Sequence, residues 1–421
     1  RWEDILAKNR RGKIQYPKYA EPIGGLRKKA EVEVPFGLCR PGFIIIGQGK
    51  CGTSSLYHYL VGHPRVLSAS KKQIHYFKYH TDESMKWYLS HFPSAETFLS
   101  RGALITGEAS PGYLPYPDVA RRMSHGLEGH TKIIVIVREP LDRAWSSYKY
   151  NYVEPALERL KRSGLKGYVK SHLSEEYYRK HHIFSFEDLL RAELNTLREC
   201  LKPGGFGETM SRKFFGHTTT FEDEFNRRDA DDTLEPLVDL DEYCYGGRVS
   251  KNVPREQWSE LIADHPEKII NLPTTKLIQS ILGRGLYTLP LEWWYASFSA
   301  NDIYMFCNED LRERPVESMS DLSEFLGLPT FNFTNVVSKG MYNVGGNEGY
   351  DKPTSWDEVE EVHESESLFL DKKDTSGSTS VNDIWSDIPI SAELLQEFIE
   401  FVKPYNDRLF QLTGKRCPWN Y

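Results

Sequence analysis

The sequence has no apolar run of the about 18 residues that a membrane-spanning helix needs, so no segment is predicted to cross a membrane. It lacks the C-x-x-C spacing of zinc and thiol-redox sites, and it contains no internal repeat. It also lacks a long run of like charge. The 53 basic and 60 acidic residues give a net charge of −7, which argues against a dedicated nucleic-acid binder but allows a local basic cleft.

The 6 cysteines are scattered along the 421 residues. An even number permits one to three disulfides, and Asn332-Phe333-Thr334 is the one N-glycosylation sequon. Together these features slightly favour a secretory location. Because the chain begins at Arg1 and has no signal-like segment, we expect a trimmed or mature form, with any membrane anchor upstream of it.

Short apolar runs predict an α/β fold. The run Phe43–Ile46 is β-branched and stops at Gly47, as a buried parallel strand does, and helical spacing follows from Ser54 to Leu60. A second strand of this kind, Ile133–Val137, also precedes a helix. Two strand–loop–helix units indicate a central, mostly parallel sheet flanked by helices, with ligands at the carboxyl ends of its strands.

The rest of the chain divides by composition. Residues 1–40 are polar and rich in Lys and Arg, which is typical of a stem or lead-in, and residues 41–421 are predicted to form one domain. Within that domain, residues 151–280 are interpreted as a mainly helical insertion. Residues 345–385 are rich in Gly, Ser, Asp and Glu and are predicted to include a mobile loop.

Capping residues and spacing predict further elements. Ser185 has the features of an N-cap, and leucines between 189 and 201 then form one apolar face. A third core strand is predicted at 303–306. The closing helix is expected to run over 391–402 and to be interrupted by Pro404.

The segment Gly47–Ser55 has the residues of an anion-binding loop. Its glycines let backbone amides approach a phosphate, and the start of the following helix adds partial positive charge. Lys50 supplies a full charge, while Thr53 or Ser54 can donate hydroxyl hydrogen bonds. The alternative is an ordinary strand-to-helix turn. The spacing is not the GxxxxGK[ST] of P-loop nucleotidases, because Lys50 precedes Gly52.

A second anion site is predicted at the end of the second strand. Arg138 stands where a nucleotidase often places a magnesium-binding aspartate. Its guanidinium, together with the hydroxyl of Ser146 two helical turns on, can hold a second phosphate. Two separate anion sites without an obvious metal ligand indicate a nucleotide with phosphates at both ends, and no metal is expected.

These motifs resemble those of the Golgi carbohydrate sulfotransferases, particularly the heparan sulfate type and the N-acetylgalactosamine 4-sulfate 6-O type. The glycine loop is similar to their 5'-phosphosulfate loop, and Arg138–Tyr148 matches RxPxxRxxSxY, their 3'-phosphate motif. The similarity covers about residues 41–330 and 391–415. Further similar segments are Lys72–Phe77 (their KExHFF), Trp87–Pro93 (WYxxxFP), Gly107–Tyr113 (GExSPxY), Gly285–Tyr287, Glu309–Leu311, Phe325–Pro329 and Pro404–Leu412.

The resemblance implies a P-loop-like sulfotransferase fold and a donor, 3'-phosphoadenosine 5'-phosphosulfate, whose product is 3'-phosphoadenosine 5'-phosphate. Arg138 and Ser146 would hold the 3'-phosphate, and Lys50 would neutralise the oxygen that bridges phosphate and sulfate as the bond breaks. Glu108 would orient Lys50 or the acceptor, the alternative being a buried structural carboxylate. The residues implied to bind the 5' end of the donor are Lys50, Cys51, Gly52, Thr53, Ser54 and Ser55.

One position departs from the family pattern. In the heparan-type enzymes the glutamate of KExHFF is the proposed general base, helped by the nearby histidine. Position 73 is glutamine here, and an amide cannot accept a proton usefully. Three explanations stay open: Gln73 replaces an original glutamate in order to trap a substrate, His75 is itself the base, or the protein binds without turnover.

The resulting hypothesis is an enzyme that transfers a sulfuryl group, by in-line displacement, to a hydroxyl of a carbohydrate in the Golgi lumen. Its catalytic candidates are Lys50, Gln73, His75 and Glu108. One alternative is a nucleotide or small-molecule kinase with an aberrant phosphate loop, and another is a non-catalytic nucleotide- or glycan-binding relative. No nucleic-acid partner is expected, and the acceptor cannot be identified from the sequence.

Overall fold

A computed structural model describes five stretches of the chain, residues 37–127, 131–153, 185–201, 281–338 and 388–419. Most of the predicted stem (1–40), most of the predicted insertion (151–280) and all of the predicted mobile loop (345–385) lie outside these stretches. The predicted domain boundaries therefore stay predictions.

Five parallel strands form one sheet, in the spatial order β2-β3-β1-β4-β5. This confirms the predicted α/β class with its central parallel sheet. All five residues of β1 are buried, as a strand covered on both faces requires. The strands are β1 (Phe43–Gly47), β2 (Val66–Ser68), β3 (Ile105–Ala109), β4 (Lys132–Val137) and β5 (Ile303–Cys307).

Helices connect and cover the strands. They are α1 (Thr53–Val61), α2 (Tyr76–Tyr79), α3 (Met85–Leu89), α4 (Ala95–Arg101), α5 (Pro117–Leu127), α6 (Pro140–Tyr148), α7 (Phe186–Leu201), α8 (Thr288–Ser297), α9 (Asn308–Glu313), α10 (Pro315–Phe325), α11 (Thr334–Val337) and α12 (Ala392–Thr413). Within the stretches that the structure describes, no helix is long and apolar enough to cross a membrane.

Two apolar clusters stabilise this arrangement. The larger one surrounds the sheet and includes the buried residues of β1, β4 and β5. The smaller one contains buried residues of α6, α7 and α12, which pack against one another. Because α6 begins directly after β4, its packing in the second cluster fixes the direction in which the helix leaves the sheet.

The local predictions are confirmed with one exception. The hydroxyl of Ser185 accepts a hydrogen bond from the amide of Asp188, as the predicted N-cap requires. Pro404, however, does not interrupt the closing helix, since α12 continues through it to Thr413. The prediction was wrong because burial of Phe398, Val402 and Leu409 on one face holds the helix together across the missing backbone N–H.

A disulfide joins Cys307, the last residue of β5, to Cys417 in the tail after α12. This confirms that the chain contains a disulfide. The bond closes a loop of 110 residues in sequence separation. Cys39, by contrast, is a free and only partly buried thiol.

We expect Cys417→Ser to lower the free energy of unfolding by about 2 to 5 kcal/mol, because the unfolded chain regains the freedom that the cross-link removes. Urea unfolding of the oxidised protein measures this. Cys39→Ser is the matched control and should change the free energy by less than about 0.5 kcal/mol. Equal stability of the two variants would contradict the assignment of the disulfide as a structural bond.

Candidate active site

All five strands end at one edge of the sheet, and each carries a polar segment there. The anion loop follows β1, and Arg138 follows β4, which lies beside β1. The segment with Gln73 and His75 comes after β2, and Ser110 follows β3. Parallel pairing therefore brings together segments that are far apart in the sequence.

The loop after β1 has the backbone of an anion-binding turn. Gly52 has a φ of 91°, in the left-handed region that favours glycine, and it precedes α1 without a side-chain cap. Lys50 also has a positive φ, of 71°, and its Nζ lies 4.0 Å from the centroid of the exposed Tyr150 ring. A helix of nine residues that begins without a side-chain cap presents its first amides and its positive end to the sheet edge.

Lys72 adds a positive charge to this helix end. Its side chain is buried, with 3% exposure, and its Nζ donates a hydrogen bond to Ser54 Oγ at 2.7 Å. The only sequence signal for a site role was its position at the start of the KExHFF-like segment.

Arg138 connects the two predicted phosphate sites. Its Nε and Nη2 donate to the two carboxylate oxygens of Asp142 at 2.5 and 2.7 Å, and its Nη1 donates to the carbonyl of Lys50 at 3.2 Å. Ser146 lies half-buried on α6, two turns further along. The guanidinium thus lies between the β1 loop and the start of α6, with a charge partner that fixes its plane.

Three side chains to which the sequence analysis gave no role form hydrogen bonds with the backbone at Cys51, Arg138 and Glu139. The hydroxyl of Tyr287 donates to the carbonyl of Arg138 at 2.7 Å and lies 3.6 Å from Cys51 Sγ. Asn308 Nδ2 donates to the carbonyl of Cys51 at 2.9 Å, and Glu309 accepts from the amide of Glu139 at 2.8 Å. Burial raises the pKa of the Cys51 thiol to about 11, so this thiol is neutral and unreactive at neutral pH.

Gln73 and His75 form a hydrogen-bonded pair. Gln73 Oε1 lies 3.1 Å from His75 Nε2, and because an amide oxygen only accepts, Nε2 carries the proton. The other ring nitrogen, Nδ1, is buried without a hydrogen-bond partner. Burial, reinforced by Lys78 and Lys71, lowers the pKa of His75 to about 4. The imidazole is therefore neutral at pH 7, with Nδ1 as its basic atom.

Glu108 is fully buried and supports this pair. Its Oε2 accepts hydrogen bonds from Ser110 Oγ at 2.6 Å and from the amide of Ile74 at 3.3 Å. Its Oε1 accepts from the hydroxyls of Tyr88 and Tyr113 at 3.0 and 3.3 Å. Burial raises the pKa of Glu108 to about 7 against the opposing effect of these donors. These four bonds place Glu108 beneath the Gln73–His75 segment, and none of them reaches Lys50.

The structure therefore groups the predicted residues into two sets, which are called the donor side and the acceptor side after their predicted roles. Lys50 to Ser55 lie in the loop after β1 and at the start of α1, Arg138 lies between β4 and α6, and Ser146 lies on α6. Gln73 and His75 lie in the segment after β2, and Glu108 lies on β3. Within the described stretches, no group of three His, Cys, Asp or Glu side chains could hold a metal ion. The expectation of a reaction without metal stays a prediction.

Comparison with known proteins agrees with the resemblance that the sequence motifs indicate. No family model matches the chain. The membrane-associated sulfotransferase kil1 of Dictyostelium discoideum is 28% identical over 312 residues, which are 69% of this chain and 57% of that protein. The chain is therefore similar in sequence to a sulfotransferase. The predicted resemblance is confirmed, and the chain spans little more than half of this relative's length.

Shorter matches involve proteins that act on heparan sulfate. Heparan sulfate glucosamine 3-O-sulfotransferase 5 of Homo sapiens is 38% identical over 112 residues, 26% of this chain and 30% of that protein. Bifunctional heparan sulfate N-deacetylase/N-sulfotransferase 3 of Homo sapiens is 32% identical over 189 residues, 41% of this chain and 18% of that protein. A sulfotransferase structure from Alicyclobacillus acidocaldarius aligns with 90% of this chain and 98% of its own, at 18% identity and a TM-score of 0.39, too low a score to establish a shared fold.

The backbone of the loop yields a prediction about two of its glycines. In Gly52→Ala, the new Cβ would lie 2.6 Å from Asn308 Nδ2, and the left-handed φ would be strained. We expect a loss of about 1 to 3 kcal/mol in the free energy of unfolding. Gly49→Ala is the matched control, since its Cβ meets nothing within 4 Å, and it should change stability by less than about 0.5 kcal/mol. Equal costs in urea unfolding would show that the loop does not have this backbone.

Proposed function

We propose that this protein transfers a sulfuryl group from 3'-phosphoadenosine 5'-phosphosulfate to a hydroxyl group of a carbohydrate. The observation that carries the proposal is the hydrogen bond between Arg138 Nη1 and the carbonyl of Lys50. It sets a guanidinium beside a loop that leads into a helix without a side-chain cap. A nucleotide with phosphates at both its 3' and 5' positions requires two anion sites held at a fixed separation.

The residues at the sheet edge fit such a donor. The 5'-phosphate would lie at the start of α1, on Gly52 to Ser55, where Lys72 stands behind Ser54. The 3'-phosphate would lie on Arg138 and Ser146. When bound, the donor supplies the activated sulfuryl group. Lys50 then provides positive charge near the oxygen that gains negative charge as the bond breaks, and this charge lowers the barrier.

On the acceptor side, we propose that His75 receives the proton of the attacking hydroxyl. Gln73 accepts from Nε2 and thereby directs the lone pair of the ring to Nδ1. Glu108 is a positioning residue, because its bond to the amide of Ile74 fixes the backbone between Gln73 and His75. Because Nδ1 is buried, the acceptor hydroxyl has to reach it past Gly112, where a Cβ would lie 3.8 Å from Nδ1.

A carbohydrate acceptor and a Golgi lumen belong to the same proposal. The heparan sulfate enzymes among the relatives support a carbohydrate acceptor. The Cys307–Cys417 disulfide and the exposed Asn332 of the sequon suit an oxidising, glycosylating compartment. Absence of the disulfide in protein isolated from its native source would remove the main support for this location.

The donor site is tested by calorimetric titration with 3'-phosphoadenosine 5'-phosphate in EDTA. We expect a Kd of about micromolar or tighter, and a loss of about 10- to 100-fold in Arg138→Ala, the range expected for one or two hydrogen bonds to a charged group. Arg312→Ala, a change at an exposed arginine on α9, is the matched control. Absence of binding, together with magnesium-dependent binding of ATP, would favour a kinase instead.

The base is tested by the pH dependence of kcat. With a pKa near 4, His75 is unprotonated above about pH 5, so kcat should fall only below that pH, as the ring takes up a proton. His75→Asn should lower kcat by about 10²- to 10⁴-fold. Gln73→Glu should raise the pKa of His75 and move the acid limb toward neutral pH, because a carboxylate favours the imidazolium.

The same three proteins separate the explanations for Gln73. If the wild type is inactive and Gln73→Glu is active, position 73 provides the base, and the assignment to His75 is wrong. If neither turns over while both bind the nucleotide, the chain is a non-catalytic relative.

A further inference from the structure

Two arginines near the donor loop each have a buried Nε that no group among the described residues satisfies. Arg143, on α6, is 0% exposed. Its Nη1 donates to the carbonyl of Gly49 at 3.4 Å and its Nη2 to the carbonyl of Ile281. Arg284, in the turn before α8, has a half-buried side chain whose Nε is sealed from solvent. Within the part of the chain that the structure describes, the Nε atoms of both arginines are buried without a hydrogen-bond partner.

Neither arginine forms an ion pair with a carboxylate among the described residues. Other arginines of the same chain do: Arg138 pairs with Asp142, and Arg198 pairs with Glu397. Burial, followed by the charge of Arg143, lowers the pKa of Arg284 to about 10. Two buried like charges repel one another and cost solvation free energy unless an anion joins them.

The location of the pair is defined by its neighbours. Arg143 contacts the carbonyl next to Lys50, on the donor side. Arg284 lies beside the same loop, because its carbonyl accepts a hydrogen bond from Gln48 Nε2 at 3.2 Å. Arg143 contacts the carbonyl of Ile281, three residues before Arg284. The groups that influence the pKa of Arg284 also include Tyr79 and Tyr116. Tyr79 and Tyr116 are neighbours of the acceptor side.

The acceptor-side neighbours connect the pair to the proposed base. The ring of Tyr79 lies 5.4 Å from that of His75. The amino group of Lys78 lies 3.9 Å from the ring centroid of Tyr116. Arg284 therefore lies beside the donor loop, and two of the groups that influence its pKa, Tyr79 and Tyr116, lie next to His75 and Lys78.

We propose that Arg143 and Arg284 form a third anion site, which binds a tetrahedral oxyanion between the donor loop and His75. It is separate from the two phosphate positions at the start of α1 and at Arg138. The identity of the anion rests on the proposed function: the oxyanion would be either the sulfuryl group in transfer or a sulfate group on the acceptor. A planar guanidinium can donate two parallel hydrogen bonds to such a group, which an ammonium cannot do.

The experiment titrates inorganic sulfate into protein saturated with 3'-phosphoadenosine 5'-phosphate, which occupies both phosphate positions. We expect sulfate to bind the wild type, and to bind Arg284→Gln about 10-fold or more weakly, as loss of charge-assisted hydrogen bonds predicts. Arg312→Gln, at an exposed position, is the matched control and should bind sulfate as the wild type does. The nucleotide should bind all three proteins equally, which also shows that Arg284→Gln is folded.

Two results would overturn the proposal. One is equal sulfate binding by the wild type and Arg284→Gln. The other is a parallel loss of nucleotide and sulfate binding in a folded Arg284→Gln, which would assign Arg284 to a phosphate position. If the wild type does not bind the nucleotide at all, the proposed function fails. The sulfate titration without nucleotide then still compares the wild type with Arg284→Gln.

Steady-state kinetics distinguish the two sources of the anion. If the site binds the sulfuryl group, Arg284→Gln should lower kcat with every acceptor. If it binds a sulfate of the acceptor, the variant should raise KM about 10-fold for a sulfated glycan and leave KM unchanged for its desulfated form. Unchanged kinetics with both glycans would overturn the proposal.

Discussion

The parallel pairing of β1 with β4 is the constraint on which the site depends. The strands are adjacent and run in the same direction, so the segments after Gly47 and after Val137 begin side by side. The first segment presents backbone amides and a lysine, and the second presents Arg138. Their separation is set by the backbone hydrogen bonds between β1 and β4, whose apolar residues are buried. A site that must recognise two anions at a fixed distance needs this rigidity.

A layer of buried contacts transmits that rigidity to the loops. A single hydroxyl, that of Tyr287, contacts both the backbone of Arg138 and the thiol of Cys51. The ring of Tyr287 packs against Trp419 in the tail, and the disulfide fixes this tail to the end of β5. Asn308, the residue directly after β5, donates a hydrogen bond to the carbonyl of Cys51 in the loop after β1. The disulfide therefore supports the donor side as well as the fold.

The ionisable side chains buried at the site differ in how completely the protein satisfies their hydrogen bonds. Glu108 is buried with four donors around its two oxygens, so its bonding is complete within the protein. Arg143 and Arg284 are the opposite case, since each has a buried Nε without a partner. The difference is physical, because a buried polar group costs free energy until its hydrogen bonds are made. It favours a structural role for Glu108 and supports the proposal that the two arginines bind an anion.

The sequence alone determined the local elements and the chemical types at the site. Apolar β-branched runs predicted β1 and β4, and the glycines and Lys50 predicted a loop between a strand and a helix. These signals are short-range, since a strand, a cap or a turn depends on neighbouring residues. Pro404 shows the limit of such reasoning, because packing of α12 outweighed a local helix-breaking signal.

Only the tertiary structure decided which side chains meet. Lys72, in the segment after β2, donates to Ser54 on α1, and Arg143 donates to the carbonyl of Ile281, 138 residues further along the chain. Burial is likewise a property of the fold, so the low pKa of His75 and the unsatisfied arginines have no sequence signal. The physical reason is that desolvation and long-range contacts depend on how the sheet and helices pack around a residue, whereas the sequence specifies only its type and its neighbours along the chain.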